Sequence, residues 1–61
     1  METLRDKQIT SIMRTISETN LLDAYLDFKE AGIQCTYKIH ELYFPALHVS
    51  IDQQLNIRNI Q

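Results

Sequence analysis

The sequence predicts an α+β fold in which an N-terminal helical segment packs on a small antiparallel sheet of two or three strands. Two observations lead to this prediction. The apolar residues of the first half recur with helical spacing, and after Gly32 the spacing changes to strict alternation. Gly32 and Pro45 are the one glycine and the one proline of the chain, and neither falls within the helical half. We therefore expect a single domain over residues 1–61, helical over 3–31 and with a β-hairpin region over 33–61.

The helical half contains two sets of apolar residues. At about 100° per residue, the centres of the two sets lie about 180° apart on one helical wheel. Either the chain turns near residues 17–20, which gives helices 3–18 and 20–31, or one long kinked helix contacts different neighbours with its two halves. Asn20, followed by Asp23 three residues later, resembles a helix N-cap and favours two helices. The two sets are Ile9, Ile12, Met13 and Ile16, and Leu21, Leu22, Tyr25, Leu26 and Phe28.

The second helix has a predicted end at Gly32. Glycine is favoured in the left-handed conformation that follows the last helical turn. With Gly32 in that position, Phe28 and Ile33 occupy the two places that commonly touch in a Schellman motif, and both residues are apolar. The pattern therefore predicts that the helix stops at residue 31.

Alternation over residues 33–40 and again over residues 47–52 predicts two strands joined by a hairpin about Phe44. In both strands the odd-numbered residues are the apolar ones. Pro45 has no backbone N–H to give to a ladder, so we expect it in the loop or at a sheet edge. Leu55 and Ile57 keep the same phase, so either the second strand runs long or a third strand follows over residues 54–60.

Composition excludes several classes of function. Eight acidic and six basic residues give a net charge of −2 without a basic stripe, whereas nucleic-acid binding needs clustered Lys and Arg. The longest apolar run, Leu42 to Leu47, is six residues and a bilayer needs about 20, so no membrane association is expected. One cysteine, Cys35, forms no intramolecular disulfide, and small secreted domains usually carry several. These features favour a reducing, cytoplasmic location.

The candidate chemical sites are weak, and we expect neither an enzyme nor a cofactor. His40 and His48 would face each other across a hairpin about Phe44, but two ligands are fewer than the three or four of a zinc site. Cys35 alternates in phase with apolar residues, which predicts a buried and unreactive thiol. A single glycine excludes glycine-rich phosphate loops.

Two apolar features are candidates for a partner or dimer interface. One is the segment 42–47, which lies at the predicted hairpin tip, where polar residues are usual; aromatic anchors dominate interface energetics. The other is the apolar face of the first helix. In each case the alternative is an intramolecular role in the core. The candidate residues are Leu42, Tyr43, Phe44 and Leu47 in the segment, and Ile9, Ile12, Met13 and Ile16 on the helix.

Small size predicts self-association. A domain of about 60 residues buries only about 60% of its unfolded surface, and without disulfides or metals it needs another source of stability. We therefore expect a homodimer or larger assembly.

By elimination, the sequence suggests a non-enzymatic protein-binding module, acting as an oligomeric inhibitor or adaptor that masks a surface of a larger host protein. Small proteins of phages or mobile elements that act against host defence systems are often of this kind, although no motif here specifies that role. The alternative is a small dimeric DNA-binding transcriptional regulator. That alternative requires five cations to converge on one face: Arg5, Lys7, Arg14, Lys38 and Arg58.

Overall fold

The computed structural model describes residues 2–60, which form two α-helices and a four-stranded antiparallel sheet in the order β1-β2-β3-β4. The predicted α+β fold is confirmed, although the sheet has four strands where two or three were expected. Met1 and Gln61, the two ends of the predicted domain, lie outside the described residues. The elements are α1 (Leu4–Glu18), α2 (Leu21–Glu30), β1 (Thr36–Lys38), β2 (Glu41–Phe44), β3 (Val49–Asp52) and β4 (Ile57–Asn59).

The helical half forms two helices rather than one long kinked helix. Asn20 is extended, and its side chain accepts a hydrogen bond of 2.9 Å from the backbone N–H of Asp23, as predicted for an N-cap. At the start of α1, Thr3 and Asp6 form a reciprocal capping box, in which the backbone N–H of each donates to the side chain of the other. Each helix therefore begins at a side chain that satisfies one of its free N–H groups.

Helix α2 ends in the predicted Schellman motif. Gly32 has a φ of 84°, in the left-handed region that glycine adopts without strain. The N–H of Ile33 donates to the carbonyl of Phe28 at 2.8 Å, and that of Gly32 donates to the carbonyl of Lys29 at 3.1 Å. The motif turns the chain out of the helix and toward the sheet.

The side chain of Gln53 links the two helices to the sheet. It lies in the turn between β3 and β4, and its Oε1 accepts a hydrogen bond of 2.8 Å from the N–H of Leu21. Its Nε2 donates to the carbonyls of Ile16 and Thr19 at 3.5 and 3.4 Å. One amide thus serves the end of α1 and the start of α2, where backbone groups have no partner within a helix.

The expected hairpin about Phe44 is wrong. The segment 41–44 is itself a strand in the interior of the sheet, paired with β1 on one side and with β3 on the other. The pairs Tyr37 with Leu42 and Phe44 with Val49 each join an odd-numbered residue to an even-numbered one. Residues paired in register share a face, so the inward phase changes from odd to even in β2 and back to odd in β3. A prediction that keeps the odd-numbered residues inward over the whole region therefore misses β2.

One face of the sheet packs on the helices. Within this core the rings of Phe28 and Phe44 meet edge to face, with centroids 5.5 Å apart. The opposite face is largely polar, from Thr36 on β1 to Arg58 on β4, and it lies on the far side of the sheet from both helices. The buried core residues are Ile9, Ile12, Ile16, Leu21, Ala24, Phe28, Cys35, Leu42, Phe44, Val49 and Ile51.

Replacing His48 by glycine is expected to stabilise the domain. His48 has a φ of 57° in the turn between β2 and β3, and its side chain is exposed. A non-glycine residue in this region costs about 1–2 kcal/mol, from which the larger unfolded-state entropy of glycine subtracts part. We expect His48→Gly to raise the free energy of unfolding by about 0.5–1 kcal/mol in a urea titration.

The matched control is His40→Gly in the turn between β1 and β2. His40 is not among the positive-φ residues found in the range 2–60, so glycine there brings only its entropic cost. His40→Gly is expected to lower stability slightly. An equal loss of stability in both variants would contradict the strain assigned to His48.

Candidate functional site

An apolar cleft opens between α1, the end of α2 and the turn that joins β2 to β3. Its volume is about 400 Å³, within the range of about 300–1,000 Å³ that ligand pockets occupy. Buried side chains form its floor, and exposed or half-buried residues form its mouth. The apolar lining is Ile12, Phe28, Ile33, Phe44, Ala46 and Leu47, and the polar lining is Gln8, Ser11 and Gln34.

Each wall of the cleft follows from local structure. On α1, Gln8, Ser11 and Ile12 have the spacing i, i+3, i+4 and share one helical face. The Schellman turn at the end of α2 brings Ile33 to the mouth, where it is exposed. Leu47 sits in the turn between β2 and β3.

Arg5 fixes the position of that turn relative to α1. Its Nη2 donates to the carbonyl of Leu47 at 3.0 Å and to Oδ1 of Asn59 at 3.3 Å. The guanidinium therefore joins the first turn of α1 to the turn after β2 and to β4. Because the cleft lies between α1 and this turn, Arg5 helps set its width.

The predicted interface residues fall into three places. Ile12, Phe44 and Leu47 line the cleft. Ile9, Ile16, Leu42 and, in part, Met13 pack in the core. Tyr43 lies on the opposite face of the sheet, where Nζ of Lys38 is 5.1 Å from its ring centroid.

The structure thus does not join the two predicted surfaces into one exposed patch. Leu42 is 0% exposed and offers no surface to a partner while the domain stays folded, and Phe44, which is 1% exposed, contributes only to the floor of the cleft. Their burial follows from the position of β2 inside the sheet. Leu47 is the half-buried member of that segment on the helical side.

A second apolar surface was not among the predicted sites. It consists of Leu22 and Leu26 on α2, Tyr37 on β1 and Ile39 in the turn after β1, and we call these four residues the β1 edge surface. Their exposed fractions are 51%, 55%, 41% and 82%. The helical wheel contains a signal for it, because Leu22 and Leu26 lie about 100–140° away from the buried Leu21, too far to share its buried face.

Cys35, His40 and His48 are not brought together as a metal site in the described part of the chain. Burial raises the pKa of the Cys35 thiol, and nearby Lys29 opposes this only in part, so the thiol is protonated at neutral pH. The predicted pairing of His40 with His48 is wrong, because these residues lie in turns at opposite ends of β2. Within residues 2–60, no three His, Cys, Asp or Glu side chains are grouped as a metal site requires.

The cations required by the DNA-binding alternative lie in two different layers. Lys38 and Arg58 belong to the open face of the sheet, where Arg58 forms an ion pair with Glu41. Arg5 belongs to α1 in the helical layer, and its guanidinium donates to Leu47 and Asn59. Lys7 and Arg14 are also on α1.

Comparison of the chain with protein-family models, curated proteins and solved structures finds no match in any of the three. In the stretch 2–60, neither helix is both long enough and apolar enough to cross a bilayer.

Proposed function

We propose that this chain is a non-enzymatic protein-binding module that takes an apolar side chain of a larger protein into the cleft and thereby masks the surface around it. The observation that supports this most is the cleft itself. It combines a buried apolar floor with exposed residues at its mouth, which is the arrangement that receives anchor side chains in protein interfaces.

The rim of the cleft suits a polypeptide. Gln8 and Gln34 are exposed, and each amide offers both donors and an acceptor. A peptide backbone offers the same combination, so amide groups beside an apolar floor can fix the orientation of a docked segment. The lining has no ionisable side chain that would favour a charged ligand or perform acid–base chemistry.

Self-association and an inhibitory role belong to the same proposal. The small core favours an oligomer, and masking a surface requires no catalysis. A net charge of −2 favours partners with a basic rim around the apolar contact, since complementary charge speeds encounter. Action as an inhibitor or adaptor, in the setting of a phage or mobile element and a host defence or regulatory system, is proposed from the size of the chain and its lack of catalytic motifs.

Filling the cleft is expected to weaken partner binding without unfolding the domain. Ser11 lines the mouth and is exposed, so Ser11→Trp places an indole over the floor. The control is Ser17→Trp, the same change at an exposed position of α1 that is not part of the lining. A partner that wild type captures from a lysate of the host cell is identified, purified and titrated against all three proteins.

We expect the partner to bind Ser17→Trp like wild type and to bind Ser11→Trp at least about tenfold more weakly, the loss typical of blocking a central contact. Circular dichroism establishes that both variants keep their helices. Equal affinity for all three proteins would show that the partner uses another surface.

A further inference from the structure

Among the described residues, Arg5 is a positive charge without a counter-ion, and it lies beside the cleft. Its Nη2 donates to two neutral acceptors, the carbonyl of Leu47 and Oδ1 of Asn59. The one salt bridge within residues 2–60 joins Arg58 to Glu41, so no carboxylate of this range neutralises Arg5. A guanidinium also has N–H donors on Nε and Nη1, and these have no acceptor in the same range. Arg5 therefore has donors available for a further acceptor group.

Arg5 stands at the end of the cleft nearest the start of α1. It precedes Gln8, which lines the cleft, by three residues, so the two side chains are neighbours on the helix surface. Nη2 of Arg5 is 3.0 Å from the carbonyl of Leu47, whose residue lines the opposite wall, yet Arg5 itself is exposed. A volume of about 400 Å³ corresponds to a span of about 7 Å, the length of two residues of extended chain. A residue close to a docked anchor thus comes within reach of the guanidinium.

The acidic side chains nearby do not oppose a second negative charge at this place. Around α2, three exposed acidic residues lie about 100–160° from Phe28, which forms part of the floor, so they occupy the other side of the helix. The carboxylate of Asp6 accepts a backbone N–H in the capping box of α1. Charges more than about 10 Å apart are screened at about 0.1 M salt, so Arg5 outweighs the net charge of −2 at this end of the cleft. The three acidic residues are Asp23, Asp27 and Glu30.

We propose that the partner segment that fills the cleft carries a carboxylate within two residues of its apolar anchor, and that Arg5 binds this carboxylate. A guanidinium and a carboxylate match as two planar forks, and their hydrogen bonds are shorter and stronger than those to the neutral acceptors that Arg5 now has. The anchor contacts the floor at Phe44 and the wall at Leu47, while the Asp or Glu beside it contacts Arg5. This inference rests on the proposed function and names the chemistry of its partner, an acidic and apolar segment.

The cleft and Arg5 recognise different parts of the same segment. The lining has no ionisable side chain, so a charged group placed on the floor would lose its hydration without gaining a partner. The carboxylate must therefore flank the apolar anchor and cannot replace it. A lysine or arginine at the flanking position would meet the like charge of Arg5, which selects against basic segments.

Two blocked pentapeptides test this pairing in the full chain. One has a central phenylalanine with a glutamate on each side and an alanine at each end, and the other has glutamine in place of both glutamates. Each peptide is titrated to about 20 mM while the methyl signals of Ile12, Ile33 and Leu47 are followed by NMR. We expect wild type to bind the glutamate peptide about three- to fivefold more tightly, the range of an exposed ion pair, and we expect added salt to reduce this preference.

Arg5→Gln removes the charge and leaves an amide that can donate hydrogen bonds, so we expect this variant to bind both peptides equally. The control is Arg14→Gln, the same change at an exposed position about 14 Å further along α1, which is expected to keep the wild-type preference. The ratio of the two affinities separates a charge contact from a structural effect. If Arg5 acted only by setting the width of the cleft, Arg5→Gln would weaken both peptides by the same factor and leave their ratio unchanged.

The possible failures of the two proposals can be told apart. Equal affinity of wild type for the two peptides would overturn the role of Arg5 and leave the cleft as the binding site. A preference for the glutamate peptide that Arg5→Gln retains would also overturn it, because another cation would then bind the carboxylate. If neither peptide shifted the cleft methyl signals, both this inference and the proposed function would be contradicted.

Discussion

Replacing Phe44 by alanine is expected to unfold a large fraction of the protein at room temperature. Phe44 is 1% exposed in the interior strand β2, and its ring packs edge to face on Phe28. Truncating a buried phenylalanine costs about 3–5 kcal/mol, the sum of lost burial and the cavity left behind. A single core of this size supplies about 3–5 kcal/mol in total. The substitution therefore removes about as much free energy as folding provides.

Urea titrations followed by circular dichroism measure this effect. The control is Tyr43→Ala, which removes a neighbouring aromatic ring that is half-buried on the opposite face of the sheet. We expect Tyr43→Ala to cost about 1 kcal/mol and to remain folded. If Phe44→Ala unfolded at the same urea concentration as wild type, Phe44 would not lie in the core and β2 would be wrongly placed.

Replacing Gln53 by alanine is expected to lower the free energy of unfolding by about 1–3 kcal/mol. This residue lies in a surface turn, where substitutions usually cost less than about 0.5 kcal/mol. Its amide, however, is partly buried between the helices, where it accepts from the N–H of Leu21 and donates to the carbonyls of Ile16 and Thr19. Alanine leaves the N–H of Leu21 and the carbonyl of Thr19 without this partner in a partly buried site, whereas the carbonyl of Ile16 still accepts from the N–H of Thr19.

The adjacent residue offers a matched control. Gln54 is exposed, and we expect Gln54→Ala to change the free energy of unfolding by less than about 0.5 kcal/mol. The same urea titration measures both variants. If the two alanine variants were equally stable, the amide of Gln53 would contribute nothing to the junction between the helices.

The helices and their ends were predictable because their signals are local. Asn20 and Gly32 act on backbone groups within a few residues, so residue type and spacing are enough to identify a cap or a Schellman motif. The bond that fixes how the helices meet was not predictable. Gln53 is 32 residues from Leu21, and nothing in the sequence between them indicates that they meet.

The sheet was predicted in part. Alternation correctly indicated strands on both sides of residues 41–44 but assigned that segment to a hairpin tip. Each of the two turns that flank β2 changes the inward parity, and the sequence does not state how many residues a turn will contain. The apolar pair Leu42 and Phe44 therefore remained a candidate for either a contact patch or the core, and the structure places both residues in the core.

The candidate site was less predictable than the sheet because it depends more on tertiary packing. Ile12, Phe44 and Leu47 were selected as apolar residues, but only the fold brings them to one cleft with Ile33. The β1 edge surface likewise can be identified only from the fold. Leu22 and Leu26 become an interface candidate only once β1 is known to be an unpaired edge beneath them.

The central claim is that the cleft receives the partner. The most direct test is a methyl-labelled NMR titration of this chain with the partner that wild type captures. We expect the largest chemical-shift changes at the methyl groups of Ile12, Ile33 and Leu47, with little change at Leu4 and Ile57, which are exposed elsewhere. Shifts that leave the cleft methyl groups unchanged, and that appear at Leu4 or Ile57 instead, would contradict the claim.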